Sequence, residues 1–183
     1  MLSARIRIAA RLVAVAALAA MTAGCFQPMY AEHTDGTPGL RDKLMGVEIP
    51  PVDKAYASRE ARVGVEVRNA LAFKLYGTAT GAPPTHRLVL RFSTSRSSLI
   101  VSSATGLPTS ENYGIDVQYN LIDNATNQSV MTGTTFSRVS YDIPGSYQRF
   151  SRQRAVRNAE DRAANEVAEN ISTRLAAFFT AGT

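Results

Sequence analysis

The most reactive side chain of this sequence is a thiol that occurs only once. Cys25 is the single cysteine among 183 residues, and it directly follows the small pair Ala-Gly. Upstream lie two arginines near the start of the chain and an apolar stretch, residues 8–20, that only Arg11 interrupts. A basic segment, a short apolar segment and small residues at a cleavage point are typical of a secretory signal peptide, which we predict over residues 1–24. Its apolar part is too short for a permanent membrane-spanning helix.

The residues before Cys25 resemble a bacterial lipobox. This resemblance implies cleavage before Cys25, acylation of its sulfur and of its new amino group, and attachment of the downstream chain to a membrane leaflet. The alternative is an ordinary signal peptide followed by a free thiol. A free thiol in an exported protein can pair wrongly. We therefore predict that Cys25 is the lipid attachment site, and that residues 25–43 form a lipidated tether.

A second group of residues with chemical potential is basic. Arg87 and Arg91 share one face of a predicted strand, Arg96 lies further along it, and Arg138 lies on a neighbouring predicted strand. Guanidinium groups bind phosphates and carboxylates through paired hydrogen bonds. These four arginines are candidates to face an anionic ligand or a partner. The alternative is that they are solvated strand residues that discourage edge pairing.

Aromatic and basic residues also cluster where the last predicted helix begins. The cluster comprises Tyr141, Tyr147, Arg149, Phe150, Arg152 and Arg154. It is either a further basic site or a helix entry whose aromatic side chains pack on the core. Further along the same helix lie the adjacent acids Glu160 and Asp161, which we expect to be solvated.

Signals for catalysis and for metal binding are nearly missing from the sequence. The two histidines, His33 and His86, lie in the tether and at a strand start, and no cluster of His, Cys, Asp or Glu has metal-ligand spacing. The glycine-rich phosphate motifs and the G-x-S-x-G nucleophile motif do not occur. We predict no catalytic residues, no cofactor and no metal, so a hydrolase is the weakest hypothesis.

The overall charge argues against nucleic-acid binding. The chain has 20 basic and 15 acidic residues. Three arginines leave with residues 1–24, so the mature chain of 159 residues carries 17 basic and 15 acidic residues. This near balance is not the footprint of a nucleic-acid-binding domain. The mature length suffices for one domain, which we place at residues 44–183.

Hydrophobic periodicity predicts six elements in this domain. A short strand over Leu44–Ile49 ends at two prolines, and a helix follows from Ser58, a capping residue, to Tyr76, before Gly77. Alternation over residues 87–93 predicts a strand from about His86, which could run on through a Ser- and Thr-containing second half to Val101, and clean alternation predicts another strand from Tyr113 to Ile122. The remaining two elements are a strand over Ser129–Tyr141, which forms a hairpin with the preceding strand, and a long helix over Tyr147–Phe179.

The order β-α-β-β-β-α predicts an α+β fold. We expect a two-layer sandwich, in which a four-stranded sheet carries both helices on one face. The other face of the sheet would then be polar, and it would be available for a partner together with the sheet edges. The apolar side of the Ser129–Tyr141 strand stays open, because Val130 and Phe136 point one way while Met131 and Val139 point the other.

Taken in order, four stretches of the chain resemble the LptE-like lipopolysaccharide-assembly lipoproteins in their alphaproteobacterial form. The first two are Cys25-Phe-Gln-Pro-Met-Tyr30 and the helical run Val63 to Leu71. The third is Tyr119-Asn-Leu-Ile-Asp123, and the fourth is the C-terminal third, with Ser140-Tyr141, Ser146-Tyr147 and the alanines at 155, 159 and 163. The resemblance covers nearly the whole mature chain.

The resemblance implies a non-enzymatic protein of the outer membrane. It implies that the domain sits inside a large β-barrel translocon subunit, helps that barrel to assemble and assists lipopolysaccharide transport to the cell surface. Phe26 after Cys25 fits this location, since aspartate there would favour inner-membrane retention. Arg87, Arg91, Arg96 and Arg138 then become candidates to face lipopolysaccharide or the barrel. The alternative function is that of an accessory lipoprotein of an ABC-type lipid transport system.

Overall fold

A computed structural model describes residues 38–53, 57–77, 83–103, 105–143 and 149–181. The order of the elements in these ranges is α-β-α-β-β-β-α. The bounds are α1 Leu40–Met45, β1 Val47–Glu48, α2 Arg59–Tyr76, β2 His86–Val101, β3 Pro108–Asp123, β4 Ser129–Asp142 and α3 Arg149–Ala181. The predicted signal peptide and Cys25 lie outside the described residues, so the processing and acylation of this segment stay predictions.

The four strands form one sheet in the order β1-β2-β3-β4. The short strand β1 pairs in parallel with the start of β2, whereas β2, β3 and β4 pair antiparallel along nearly their whole length. The predicted α+β fold is confirmed, because α2 and α3 pack against each other and α3 crosses β3 and β4 on one side of the sheet. The sheet therefore has one covered face and one face without a covering helix among the described residues.

Local signals in the sequence account for both ends of α2. The Ala61 N–H donates a hydrogen bond of 3.0 Å to the Ser58 side chain, which caps the first turn. At the other end, Gly77 has a positive φ of 69°, and its N–H donates to the Phe73 carbonyl at 2.8 Å. Inside the helix, a Cβ at Gly64 would lie 3.2 Å from the Phe92 ring. Gly64 thus permits a close approach of α2 to the sheet.

The β3–β4 hairpin closes through a polar turn. The Asp123 carboxylate accepts from the Ala125 N–H at 2.7 Å, and Asn127 adopts a positive φ of 55°. The register then decides which face of β4 is apolar: Val139 and Tyr141 are buried, whereas Val130 and Phe136 are exposed.

The core lies between the covered face of the sheet and the facing sides of α2 and α3. The strands contribute Leu88, Leu90, Phe92, Ile115, Val117 and Leu121, all buried. From the helices come Val63, Val67, Leu71, Ala163, Val167 and Ile171. Alanines at 159, 163, 164 and 168 keep the buried side of α3 narrow, which lets its 33 residues, about 50 Å of helix, lie close to the sheet and to α2.

The first element differs from the sequence prediction. We predicted a strand from Leu44, but Leu44 belongs to α1, and the strand consists of Val47 and Glu48 alone. Leu40 and Leu44 are one helical turn apart and both are buried, so α1 packs its apolar side against the rest of the domain. Helix α1 thus begins within the segment that we predicted as tether. Lys43 fixes it further by donating to the Phe179 carbonyl near the end of α3, at 3.2 Å.

No helix in the described ranges is both long enough and apolar enough to cross a membrane.

Candidate functional site

The face of the sheet that carries no helix is polar, as predicted, and we call it the open face. It presents Arg87, Arg91, Asp116, Gln118 and Asn120, which alternate with core residues along β2 and β3. A shallow groove of about 540 Å³ runs across it. The groove is lined by Val89, Arg91, Gln118, Asn120, Ile122 and Thr132, among others. The open face therefore presents a groove lined by both polar and apolar side chains.

Arg87 and Arg91 are the two open-face arginines without a carboxylate partner in the described chain. Arg91 is exposed and borders the groove. Arg87 is half-buried, and its Nε is buried without a hydrogen-bond partner among the described residues. A buried donor that lacks a partner costs free energy, so an anion at this point of the sheet would be stabilised.

Arg138 lies on the open face too, but its charge is already paired. Its Nη2 donates to both carboxylate oxygens of Asp116, at 2.7 and 2.9 Å. The guanidinium also lies 5.5 Å from the centre of the Phe136 ring. In the isolated domain, Arg138 therefore acts as a cross-strand brace between β3 and β4.

Arg96 points to the opposite side of the sheet from Arg87 and Arg91. Its Nη2 lies 3.6 Å from Glu160 Oε1, and its guanidinium lies 5.7 Å from the centre of the Tyr113 ring. The four predicted arginines thus do not form one patch. The alternation of side chains along β2 predicts the direction of Arg96. This residue is four positions after the buried Phe92, so both side chains lie on the same face of the strand.

Our prediction that Glu160 is solvated is wrong, because its side chain is buried. Only 1% of it is exposed, and three arginines from two different elements surround its carboxylate. Arg62 of α2 donates to Oε2, while Arg59 Nε lies 3.8 Å and Arg96 Nη2 3.6 Å from Oε1. The hydrogen bond to Glu160 raises the pKa of Arg62. Glu160 therefore joins α2, α3 and β2 through one buried charge.

The pattern of α3 contains a signal for this burial. Glu160 lies four residues after Val156 and four before Ala164, so it falls inside the apolar stripe rather than beside it. The pattern of α3 alone does not predict which positive charges compensate Glu160, because the three arginines belong to α2 and β2. A charge in an apolar stripe is stable only when such partners exist.

The arginines around Glu160 also line a cavity of about 390 Å³, which we call the arginine cavity. Its basic lining consists of Arg59, Arg62, Arg96, Arg149, Arg152 and Arg157. It lies where both long helices begin, since Arg59 and Arg149 are the first residues of α2 and α3.

The predicted aromatic-basic cluster divides between the core and this cavity. Tyr141 is buried and donates to Glu111, whereas Phe150 is 80% exposed. Arg149 and Arg152 line the arginine cavity, and Arg152 Nη2 lies 3.7 Å from Glu111 Oε1. Tyr147 lies outside the described residues. Core packing thus explains Tyr141, but it does not explain Phe150 or the arginines.

Chemically, the described residues offer anion binding. Within the described ranges, no group of three His, Cys, Asp or Glu side chains is placed to hold a metal ion. The arrangements that exist are guanidinium groups beside a groove and around a cavity, which suit phosphate or carboxylate ligands.

Comparison with protein families shows a match over most of the domain. Residues 44–175 match the family model LptE, described as lipopolysaccharide-assembly. This range contains β1, α2, the three long strands and most of α3. A comparison with curated proteins finds no match.

Solved structures with the same fold come from several bacteria. One is a Caulobacter crescentus protein assigned to the lipoproteins, with a TM-score of 0.62 and 21% identity over 79% of this chain and 97% of that chain. Another is the rare lipoprotein B from Shewanella oneidensis, with a TM-score of 0.50 and 15% identity over 73% of this chain and 96% of that chain. At these identities the similarity establishes the fold.

Proposed function

Because the chain belongs to the LptE family of lipopolysaccharide-assembly proteins, we propose that it is a non-catalytic outer-membrane lipoprotein that helps a large β-barrel translocon to assemble, plugs it and assists lipopolysaccharide transport. The match over residues 44–175 is the observation that carries this proposal. A role in lipopolysaccharide assembly follows from the family; the barrel partner and the plug are the proposed part.

The attachment to the membrane is proposed from the N-terminal sequence. Cleavage before Cys25 and acylation of this residue would hold the domain at the periplasmic face of the outer membrane or in the barrel lumen. Residues 26–37 separate this predicted anchor from the described part of the chain, and a chain spans at most roughly 3.3 Å per residue, which limits how far from the anchor the domain could meet a partner.

We further propose that the open face is the side that meets lipopolysaccharide or the barrel wall. The opposite face of the sheet is occupied by α2 and α3, whereas the groove and two arginines without carboxylate partners are accessible on this side. Of the four arginines predicted from the sequence, Arg87 and Arg91 are thus the strongest candidates. Arg138 and Arg96 are held by carboxylates.

Depletion of the protein in its native bacterium tests the proposed function. We expect lipopolysaccharide to decrease at the cell surface, the outer membrane to become permeable to large hydrophobic antibiotics, and the folded barrel to decrease in immunoblots. Wild-type protein should restore all three. Normal surface lipopolysaccharide together with a normal barrel level after depletion would overturn the proposal.

The role of the open face is tested by the double variant Arg87→Gln/Arg91→Gln. We expect weaker binding of purified lipopolysaccharide and a more permeable outer membrane, because the two open-face arginines without a carboxylate partner in the described chain are replaced. Arg41→Gln/Arg174→Gln, which removes two exposed charges elsewhere, is the matched control. If the Arg87/Arg91 variant leaves both lipopolysaccharide binding and permeability unchanged, the open face does not have this role.

A further inference from the structure

The arginine cavity contains more positive charge than the structure around it uses. Six arginines line it, whereas the carboxylates paired with them in the described residues are Glu160 and Glu111. Asp161 adds one more negative charge nearby, through its Coulombic effect on Arg62. Even with all three acids counted, cations exceed anions by three. Arg149 and Arg157 form no ion pair with any described residue.

The position of these arginines on the helices is unfavourable without a ligand. Helix N-termini carry partial positive charge, so acidic residues are favoured in the first turn and basic ones are not. Helix α3 has no acidic residue in its first turn and begins with Arg149, followed by Arg152 and Arg154. Helix α2 also begins with Arg59 and has Arg62 near its start, but it keeps an acid, Glu60, in its first turn. The rule is thus broken at the start of α3, and a local rule broken there points to a site that serves function rather than stability.

The carboxylate in the cavity does not balance this excess. Glu160 Oε1 is buried and accepts no hydrogen bond from the described residues, although Arg59 and Arg96 lie within 4 Å of it. Glu160 therefore holds three arginines at the inner wall of the cavity, and their side chains remain 33 to 55% exposed. The guanidinium groups are thus held in place and still accessible, as a site for a ligand requires.

We propose that the arginine cavity is a binding site for a phosphoryl-bearing anion with at least two negative charges. Guanidinium groups bind phosphate oxygens in pairs, and helix N-termini stabilise the same charge. The phosphoryl group could belong to a lipid head group or to a free phosphate ion, since both present the same oxygens. The site lies on the side of the sheet opposite to Arg87 and Arg91, and it does not depend on the proposed function.

Inorganic pyrophosphate is the probe that tests the site, with the full chain purified in a non-ionic detergent. We expect saturable binding by calorimetry that weakens at least tenfold in Arg149→Gln/Arg157→Gln, since these two arginines have no carboxylate partner in the described chain. The control Arg41→Gln/Arg174→Gln removes the same charge but keeps the cavity, and Arg174 lies roughly 37 Å along α3 from Arg149. Its affinity should stay within twofold of the wild type.

Melting temperature gives a second readout that a structural role would not produce. Without ligand, Arg149→Gln/Arg157→Gln should melt about 2 °C higher than the wild type, because cations at the positive end of α3 repel. With saturating pyrophosphate the wild type should rise in melting temperature and the variant should not. Undetectable pyrophosphate binding, or equal weakening in the cavity variant and the control, would overturn the site.

Competition then identifies the source of the phosphoryl group. Labelled lipopolysaccharide in detergent micelles is bound to the full chain and titrated with pyrophosphate. Displacement from the wild type but not from Arg149→Gln/Arg157→Gln supports the site and assigns it to a lipid head group. Saturable pyrophosphate binding without displacement supports the site for a free phosphate ion.

Discussion

Glu160 is a buried charge that links three elements of this domain. It is almost fully buried in the apolar stripe of α3, and its charge is balanced by Arg59, Arg62 and Arg96 from α2 and β2. A buried ion pair is a weak stabiliser compared with apolar packing, but the loss of one partner is costly because the remaining charges lose their compensation. The Glu160 carboxylate is therefore needed to compensate the charges of the three arginines that surround it.

Glu160→Gln should destabilise the domain by about 3 kcal/mol, since it leaves three guanidinium groups around a neutral amide. Urea denaturation monitored by circular dichroism measures this change. Glu169→Gln is the matched control: it removes a carboxylate of α3 that pairs with Lys74 and is 62% exposed, so its cost should be about 0.5 kcal/mol. Equal effects of the two substitutions would contradict the central position of Glu160.

Tyr141 makes the stability of the domain sensitive to alkaline pH. Burial, together with the hydrogen bond to Glu111, raises the pKa of Tyr141 to about 12, whereas an unfolded tyrosine titrates near 10. The folded state therefore keeps this proton more firmly, and the stability linked to it is complete below pH 10 and lost as the pH rises towards 12.

Between pH 9.5 and 12, the free energy of unfolding should thus fall by about 2 kcal/mol more in the wild type than in Tyr141→Phe. Urea titrations at a series of pH values measure the two slopes. Parallel pH dependence in both proteins would show that Tyr141 is not coupled to folding in this way.

At the scale of elements, local patterns predicted most of the architecture. Ser58 and Gly77 bound α2 because a side-chain acceptor and a left-handed residue satisfy helix ends locally. Alternation over residues 87–93 predicts the strand that starts at His86, and the structure confirms this strand up to Val101. These predictions succeed because hydrogen bonding and burial repeat with the period of the element.

The elements that could not be predicted depend on contacts distant in sequence. Helix α1 is only six residues long, too short to be stable without the burial of Leu40 and Leu44. The apolar face of β4 was ambiguous because Phe136, a large apolar residue, lies on the open face beneath Arg138. The sequence does not predict the arginine cavity, because its lining residues come from three elements, α2, β2 and α3, that are distant in the chain.

Gly64 sets how closely α2 approaches the sheet. A Cβ there would lie 3.2 Å from Phe92 and 3.3 Å from Val52, so Gly64→Leu should cost about 2 kcal/mol or more through overpacking. Asn69→Leu, on the exposed side of the same helix, should change stability by about 0.5 kcal/mol or less. Thermal and urea denaturation of both variants measure the difference, and comparable stability of the two would contradict the close approach.

At the scale of the whole domain, the two faces of the sheet differ in burial and in the residues that they present. The covered face carries the core and, where the long helices begin, the arginine cavity. The open face carries the groove, Arg87 and Arg91. The apolar core thus lies on one side of the sheet, and the contact that we propose with lipopolysaccharide or the barrel uses the other side.

Purification of the full chain from detergent-solubilised outer membranes tests the central proposal most directly. A C-terminal affinity tag leaves the predicted anchor at Cys25 intact, and mass spectrometry identifies the co-purified proteins. We expect a large β-barrel protein in near-equimolar amount, retained after washing at high salt. Recovery of the full chain without a barrel, or with the subunits of an ABC-type transporter in its place, would contradict the proposed partnership with a barrel.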